Sequence, residues 1–285
     1  EEQQALQTRE PAEQICIVIM SLALQHQQSL LLFALCVSFL AQPACSFDLF
    51  GMKGMFSNSV RKMSMISAAD VLKNPQWPES WPYKPADFLR QDESQDTNFY
   101  SQPRFVYHID DQAVGALTKY YKTVFTEGAE VLDICSSWVS HFPTDVKLKR
   151  SVGLGMNLAE LAANKQLTET VLRDLNRDPA LPFPDNSFDF VTCVVSADYL
   201  NKPLEVFKEV QRVLRPGGMA IMSQSNRCFP TKAIGIWLKT NDMEHVFVIG
   251  SYFHYAGGFA PPEGVDISPN PGRSDPLYII QAKKA

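Results

Sequence analysis

The sequence predicts an α/β fold with a doubly wound, mainly parallel sheet and an irregular or helical N-terminal extension. Three observations predict it. Short apolar runs of strand length alternate with amphipathic helical segments from residue 129 onward. Apolar residues make up 45% of the 285-residue chain and charged residues 20%, as in soluble globular proteins. The sequence shows no fixed repeat, which excludes collagen-like, coiled-coil and solenoid architectures.

Two segments ahead of the predicted domain have the composition of targeting sequences. Residues 29–41 form an apolar run that is shorter than a membrane span, and small residues follow it at Ala44 and Ser46. We therefore expect a signal-type leader over residues 1–46, and the sequence leaves open whether residues 1–19 belong to the mature protein. Residues 47–69 contain basic residues and serines but one acid, which is typical of a transit peptide.

The order of these two segments predicts a location. The sequence ACSF, with Phe47 after the expected cleavage point, resembles the two-part plastid targeting sequences of algae with secondary plastids. We expect a protein of the chloroplast stroma without a stable membrane span in its mature form. A membrane-anchored or secretory protein is the alternative, with both apolar patches of the leader forming the anchor.

Residues 70–128 are predicted to form an N-terminal wrap followed by a helix. Residues 74–104 are rich in Pro, Trp, Asp and Gln and show little periodicity, so we expect an irregular segment held by aromatic residues. These are Trp77, Trp81 and Tyr83. Apolar residues at helical spacing then predict a helix that begins at Asp110 or Asp111 and stops by Gly128.

The remaining chain, residues 129–285, alternates strands with helices. Buried strands are predicted at EVLDIC (130–135), SVGLGM (151–156), FDFVTCVVS (188–196) and MAIMSQS (219–225). Helices are predicted at LAELAANKQL and PLEVFKEVQRVL, and the C-terminal region predicts a helix followed by one or two closing strands. Because ligands of open α/β sheets bind at the carboxyl ends of the strands, candidate site residues are those that follow these runs.

The three cysteines of the body are Cys135, Cys193 and Cys228. They are far apart and lack the spacing of metal ligands or of a disulfide framework. We therefore predict no metal site and interpret the three as small buried side chains in a reducing compartment. The net charge of −5 supplies no basic surplus to neutralise phosphates, so we also predict no nucleic-acid partner.

Residues 129–225 resemble a known family. LPFPDNSFD (181–189) and RVLRPGG (212–218), followed by an apolar strand, are similar to the second half of class I S-adenosylmethionine-dependent methyltransferases of the type 11 kind. SSWVSH and SNRCFPTKAI resemble a plastid and cyanobacterial subgroup. The resemblance implies a Rossmann-like methyltransferase fold over residues 129–285, S-adenosylmethionine as the cofactor, and methyl transfer to an unidentified small molecule.

The loop after the first strand departs from the family pattern, in which glycines let the cofactor approach the backbone. Asp133 occupies the family's acidic position, but no glycine follows it. We expect the hydroxyls of Ser136 and Ser137, with loop amides at a helix start, to hold a carboxylate. Trp138 is predicted either to lie against the sulfonium or to occlude the pocket.

The second and third strands depart from the pattern as well. Gly155 stands where an acid is expected to grip the ribose, and we expect Asn157 to bond the ribose instead. For the contact to adenine, Asn176 and Asp178 are the nearest candidates.

Three residues are candidates for catalysis. His141 is the predicted general base, with a histidine that orients the backbone as the alternative. Tyr199 follows the third predicted strand, where packing is the alternative role. Arg227 follows the fourth, where it would clamp an anion or pair with a surface acid. His108 is a further candidate that approaches the site from the wrap.

The sequence offers two alternative functions, one favoured and one disfavoured. A catalytically inactive methyltransferase-like protein that binds a ligand or assists assembly is favoured by the missing glycines and the missing ribose acid. A nicotinamide oxidoreductase is disfavoured because no G-x-G-x-x-G follows any predicted strand. The sequence does not determine the oligomeric state.

Overall fold

The computed structural model describes residues 66–285. The predictions for residues 1–46, and for most of residues 47–69, therefore lie outside the described residues. Seven strands form one sheet: β1 (Glu130–Ile134), β2 (Arg150–Gly155), β3 (Glu169–Leu172), β4 (Phe188–Val194), β5 (Leu214–Gln224), β6 (Glu263–Asp266) and β7 (Tyr278–Lys283). Six α-helices are described: α1 (Ala68–Lys73), α2 (Asp96–Phe99), α3 (Asp111–Val124), α4 (Leu158–Ala163), α5 (Pro203–Val213) and α6 (Asp242–Ala256).

The strand order is β3-β2-β1-β4-β5-β7-β6. Strands β1 to β5 pair in parallel, whereas β7 runs antiparallel to both β5 and β6. Because β1 lies between β2 and β4, the chain reverses its direction of winding there, which opens a crevice at the carboxyl ends of these strands. The structure thus confirms the predicted mainly parallel sheet of the Rossmann-like methyltransferase fold.

The central strands are the most buried, since helices cover the sheet. All five residues of β1 are buried, and Leu132 and Val191 on the paired strands β1 and β4 are fully inaccessible. Helix α3 begins after Asp110, whose carboxylate accepts a hydrogen bond from the Ala113 N–H, as predicted. Its buried face includes Leu117, in the same apolar cluster as the strand residues beneath it.

Four elements differ from the predictions. Strand β3 was missed because it is an edge strand with mostly exposed side chains. Strand β5 begins at Leu214 rather than at Met219, because Gly217 and Gly218 already bond to Lys284 of the C-terminal segment. Helix α4 is shorter than predicted. The fourth difference concerns the site: residues 135–149 contain no helix, so the helix start expected beside Ser136 and Ser137 is wrong. Pro143 and the polar residues after it lack helical periodicity.

The N-terminal wrap lies against helix α6. Trp77 packs against Phe247 with ring centroids 4.7 Å apart, and the Tyr83 hydroxyl lies 2.8 Å from Ser251 Oγ. Trp81 contacts Tyr83, Phe88, Tyr252 and Tyr255. The aromatic residues expected to hold this segment therefore do so. Within residues 66–285, no helix combines the length and apolar character that crossing a membrane requires.

Candidate functional site

A cavity of about 570 Å³ opens at the carboxyl ends of strands β1 to β5. Residues that follow each of these strands line it, and the wrap closes its other side. Nine of the candidate site residues predicted from the sequence line this one cavity: Asp133, Ser136, Ser137, Trp138, His141, Asn157, Asn176, Tyr199 and Arg227. His108 lines it as well, but Asp178 does not.

The carboxylate of Asp133 anchors the loop after β1. It accepts hydrogen bonds from Ser136 Oγ at 2.7 Å, Ser140 Oγ at 2.7 Å and Thr192 Oγ1 at 2.8 Å. Burial raises the pKa of Asp133 to about 6, although these three hydroxyls favour its ionised form. The Ser136 hydroxyl, predicted to hold a ligand carboxylate, is therefore already used within the chain.

The hydroxyl of Ser137 is used in the same way, by an acid that the sequence interpretation missed. Ser137 Oγ donates to Glu160 Oε2 at 2.6 Å, and the Arg104 N–H donates to Glu160 Oε1 at 2.7 Å. Glu160 is the third residue of helix α4 and lines the cavity. The available signal was its position shortly after the second strand, five residues beyond Gly155, where the acid was expected.

Gly155 explains why no acid ends strand β2. A Cβ at this position would lie 2.1 Å from the carbonyl oxygen of Ser136, because the loop after β1 crosses directly over it. The Ser136 N–H donates to the Leu154 carbonyl at 2.8 Å, which fixes this close approach. A side chain at residue 155 is therefore excluded by backbone contact.

Asn157 caps helix α4. Its Oδ1 accepts from the N–H groups of Ala159 and Glu160, and its Nδ2 donates to the carbonyls of Tyr100 at 2.9 Å and Ser101 at 3.3 Å. Both donors and both acceptor directions of the amide are thus occupied. The ribose contact predicted for Asn157 would require one of these bonds to be exchanged.

The end of strand β3 supplies a second missed acid, Asp174. It lines the cavity, as does Arg173, whereas Asp178, which pairs with Arg173 at 2.5 Å, does not. Asn176 donates to Asp96 at 2.9 Å and to the Tyr199 carbonyl at 2.8 Å. The sequence interpretation missed Asp174 because it had not identified the strand that precedes it.

Trp138 forms part of the wall without sealing the cavity. Its indole N–H donates to the Val106 carbonyl at 3.1 Å, and its ring stacks on Tyr107 with centroids 5.1 Å apart. The Trp138 side chain therefore joins the loop after β1 to the wrap. The predicted contact with the sulfonium and the predicted occluding role of Trp138 both stay predictions.

His141 presents a neutral imidazole. Burial, with a smaller contribution from the neighbouring His108, lowers the pKa of His141 to about 4. Its carbonyl accepts from Thr118 Oγ1 at 3.0 Å, and its ring lies 5.5 Å from that of Tyr107. Near pH 7 one ring nitrogen therefore carries a free lone pair beside the cavity.

The other two catalytic candidates are differently placed. The Tyr199 hydroxyl accepts from the Phe229 N–H at 2.8 Å, and burial raises the pKa of Tyr199 far above its usual range. This phenol is a proton donor at neutral pH. Arg227 is 62% exposed and lies 3.8 Å from Asp275, so its guanidinium is mostly hydrated and pairs with a surface acid.

Arg104, contributed by the wrap, was not predicted. Its guanidinium lies over the Phe99 ring at 4.5 Å and donates to the Phe99 carbonyl at 3.0 Å. Among residues 66–285, no carboxylate lies within ion-pairing distance of the Arg104 guanidinium. Its Nη1 is buried without a hydrogen-bond partner among these residues. A desolvated, uncompensated cation beside a cavity favours an anionic ligand.

Buried ion pairs hold this part of the wrap in place. Asp96 is 4% exposed and accepts from Arg90 at 2.7 Å and from Lys232 at 3.1 Å. Lys232 is fully buried and also donates to the carbonyls of Asp92 and Ser94. The wall that carries Arg104 is thus fastened to the segment after β5.

The cysteines differ from their prediction in part. Cys193 is buried, as expected, whereas Cys135 and Cys228 are half-buried and line the cavity. All three are free thiols. Among the described residues, no three His, Cys, Asp or Glu side chains are grouped closely enough to hold a metal ion.

The residues of the cavity fit S-adenosylmethionine, the cofactor that the resemblance implies. The volume lies within the roughly 300–1,000 Å³ of small-molecule sites. Glu160 and Asp174 supply acceptors for hydroxyl and amino groups, and the unpaired charge of Arg104 suits a carboxylate. An indole face suits a sulfonium cation.

Comparisons with known proteins find similarity to methyltransferases over part of this chain. Residues 141–222 match the family model described as "Methyltransferase domain". A protein of Staphylococcus epidermidis named demethylmenaquinone methyltransferase is 32% identical over 108 residues, covering 35% of this chain and 45% of that protein. This chain thus spans about half the length of the curated relatives it matches.

Two solved structures are also similar to this chain. The [4+2]-cyclase SpnF is 16% identical, with 66% of this chain and 91% of that chain covered and a TM-score of 0.47. An S-adenosylmethionine-dependent methyltransferase from Mesorhizobium loti is 14% identical, with 59% and 97% covered and a TM-score of 0.44. Over residues 141–222, the match to the family model shows that the chain is similar to a methyltransferase domain.

Proposed function

We propose that this protein transfers a methyl group from S-adenosylmethionine to a small-molecule acceptor. The observation that carries the proposal is the position of the His141 imidazole on the wall of a cavity at the strand ends, where burial lowers its pKa to about 4. Such a site combines space for a ligand with a base that is unprotonated at neutral pH. The match of residues 141–222 to a methyltransferase domain supports the reaction class.

Four residues would hold the cofactor. Arg104 would bind its carboxylate, and Glu160 would accept from the ribose hydroxyls while Ser137 keeps its carboxylate in place. Asp174 would accept from the adenine amino group. The face of Trp138 would lie against the sulfonium, a contact worth about 0.5–2 kcal/mol. When bound, S-adenosylmethionine supplies a methyl group attached to a cationic sulfur.

His141 would remove the proton of the acceptor. The lone pair of its neutral ring takes a proton from an O–H or N–H, or from an acidified C–H, as the nucleophile attacks. Its low pKa makes it a weak base, so the acceptor must be acidic or must lose its proton late. Tyr199, which keeps its proton, would donate a hydrogen bond to the acceptor.

The acceptor would carry an apolar ring. The curated relatives are named for demethylmenaquinone, and the cavity of this chain has apolar and aromatic side chains along its wall, including Val106, Tyr107 and Phe229. Flat aromatic walls favour a ring over an extended polar chain.

Calorimetric titration of the full chain with S-adenosylhomocysteine, followed by labelled-methyl transfer to a plastid extract, tests the proposal. We expect binding and a labelled product, with turnover lost in His141→Ala but binding retained. No binding at millimolar ligand would refute the cofactor site. Full turnover in His141→Ala would remove this residue from the chemistry.

One observation favours a second candidate function, a catalytically inactive binding or assembly protein. The hydroxyls of Ser136 and Ser137 bond to acids of the chain itself. Ligand binding without methyl transfer to any component of the extract would support this candidate against the enzyme.

We further propose that the protein acts in the plastid stroma. The support is the sequence order of an apolar leader, ACSF and an acid-poor segment. Fluorescent tagging of the full chain tests the location, and retention in the endomembrane system would contradict it.

A further inference from the structure

One glutamine side chain bonds the backbone on both sides of His141. Gln166 Oε1 accepts from the Ser140 N–H at 3.1 Å and from the Phe142 N–H at 3.3 Å. Its Nε2 donates to the Phe142 carbonyl at 2.7 Å. These three hydrogen bonds bracket the histidine assigned above as the general base, whereas Gln166 itself does not line the cavity.

The backbone of Gln166 is held on both sides as well. Helix α4 ends at Ala163, and Gln166 lies in the connection to strand β3. Its N–H donates to Asn164 Oδ1 at 3.0 Å, and its carbonyl accepts from Ser151 Oγ at 2.6 Å. The side-chain amide is therefore presented to the loop after β1 from a fixed backbone.

The backbone of His141 has a conformation that needs support. Its φ is 58°, in the left-handed region that residues other than glycine rarely adopt. Such a conformation persists only where the surrounding structure fixes it. Thr118 on helix α3 adds a fourth backbone bond, from its Oγ1 to the His141 carbonyl at 3.0 Å. Three of these four bonds come from Gln166.

We propose that Gln166 is a positioning residue, whose amide holds the His141 imidazole on the cavity wall in the geometry that proton transfer requires. This role deepens the proposed function and rests on it, because His141 is the base only in that reaction. A base must lie within about 2.6–3.2 Å of the atom that loses the proton. A displacement of about 1 Å can cost about a hundredfold in rate.

The surroundings of the His141 ring would report such a displacement. The ring lies 5.5 Å from the Tyr107 ring, and burial, with a smaller contribution from His108, lowers its pKa to about 4. If the backbone leaves the left-handed region, Cβ moves and the ring gains access to water. Its pKa then returns toward its usual value of about 6.5. The protonation of His141 therefore measures its placement without any turnover.

The test compares the full-length parent with Gln166→Met, which keeps the length of the side chain but makes none of the three bonds. NMR of histidine labelled with nitrogen-15 reports the ring, and His141→Gln identifies its signals among those of five histidines. At pH 5 we expect the ring to be about one-tenth protonated in the parent and about half protonated in the variant. Equal protonation in the two proteins would overturn the proposal.

Methyl transfer gives a second readout. With labelled S-adenosylmethionine at saturation and a plastid extract as the source of acceptor, Gln166→Met should lower the initial rate roughly tenfold to a hundredfold. S-adenosylhomocysteine should bind within about threefold of the parent, because the Gln166 side chain does not line the cavity. A rate that falls while the ring protonation is unchanged would overturn the proposal.

Gln211→Met on helix α5 is the matched control. The Gln211 amide donates to the Gly258 carbonyl at 3.4 Å, and neither residue lines the cavity. This variant should keep the rate and the ring protonation of the parent. If it changed both as Gln166→Met does, the effect would not be specific to Gln166 and the proposal would fail.

A double variant separates positioning from a general loss of structure. If Gln166 acts through His141, Gln166→Met should change the rate of His141→Ala by less than about twofold. Effects that multiply in the double variant would overturn the proposal.

Gln166→Asn keeps the test decisive if Gln166→Met does not fold. It retains an uncharged amide on a side chain one methylene shorter, so it cannot make all three bonds at once. Ring protonation and rate should change in the same direction as in Gln166→Met but by less. Ring protonation equal to that of the parent would overturn the proposal.

The two readouts also separate this proposal from the proposed function. If the ring protonation rises in Gln166→Met while the rate stays that of the parent, Gln166 positions the ring as proposed. The same result would show that His141 is not the base of the reaction.

Discussion

The two walls of the cavity are built in different ways. The strand-end wall, residues 133–160, is held by hydrogen bonds between side chains close in sequence, such as Ser136 and Ser140 to Asp133. The wrap wall, residues 90–109, depends on contacts between distant segments. Lys232 reaches the carbonyl of Asp92 across 140 residues, and Asn176 reaches Asp96 across 80.

This difference predicts how much support each wall loses when one residue is substituted. Asp133 has three hydroxyl donors, so the strand-end wall loses only part of its support when one donor is removed. The wrap wall converges on one buried carboxylate, that of Asp96, which faces two cations. Removing it leaves each buried cation with one partly exposed partner, Lys232 with Asp92 at 3.1 Å and Arg90 with Glu93 at 3.4 Å, and a buried charge that loses its buried partner is costly. The wrap wall is therefore the weaker of the two.

The largest expected effect is that of Asp96→Ala. Loss of one partner from a buried ion cluster costs about 3–5 kcal/mol of the free energy of unfolding. Urea unfolding, followed by circular dichroism, measures this loss. The control is Asp178→Ala, which breaks an exposed pair with Arg173 and should change little. Equal effects of the two variants would contradict the comparison of the walls.

Arg104→Gln should weaken ligand binding without a comparable loss of stability. Hydrogen bonds to charged groups are worth about 1.5–3 kcal/mol, so S-adenosylhomocysteine should bind roughly tenfold to a hundredfold more weakly by calorimetry. Methylthioadenosine lacks the carboxylate and should bind both proteins alike. Arg173→Gln, a cavity arginine with its own acidic partner, is the control. Equal weakening of both ligands would refute the carboxylate contact.

The free energy of unfolding should decrease as the pH falls, because His141 in the strand-end wall is held neutral in the folded state. The unfolded histidine has a pKa near 6.5, whereas the folded one has a pKa of about 4. Between pH 7 and pH 5 the unfolded state therefore binds more protons, and His141 removes about 2 kcal/mol of stability as the pH falls.

His141→Gln should flatten this decline by that amount in urea unfolding at the two pH values. His245, whose pKa burial also lowers to about 4, affects parent and variant alike and serves as the internal reference. Parallel pH profiles of the two proteins would show that His141 is not held neutral.

The smallest expected effect is that of Thr192→Val. It removes one of the three donors to Asp133 and should cost about 1 kcal/mol of the free energy of unfolding. Because Ser136 and Ser140 remain, S-adenosylhomocysteine should bind within about twofold of the parent. A loss of binding as large as that of Arg104→Gln would show that the two remaining hydroxyl donors do not hold the strand-end wall in place.

Much of the strand-end wall could be predicted from the sequence, because its residues follow apolar runs that are recognisable as buried strands. Asp133, Trp138 and His141 were placed at the cavity in this way. Asp174 could not be, since the edge strand before it has no apolar run. Glu160 was missed because a family pattern directed attention to the strand end, where contact with the Ser136 backbone excludes a side chain.

By itself, the sequence determined four of the five parallel strands and most of the residues at their ends, since hydrophobic periodicity and turn residues act over a few positions. Only the tertiary structure decided which hydroxyls are already bonded and that the Arg104 guanidinium has no acidic partner among residues 66–285. These facts depend on burial and on contacts between distant segments. Neither burial nor these contacts can be predicted from local sequence, because the free energy of a buried charge depends on the residues that pack against it.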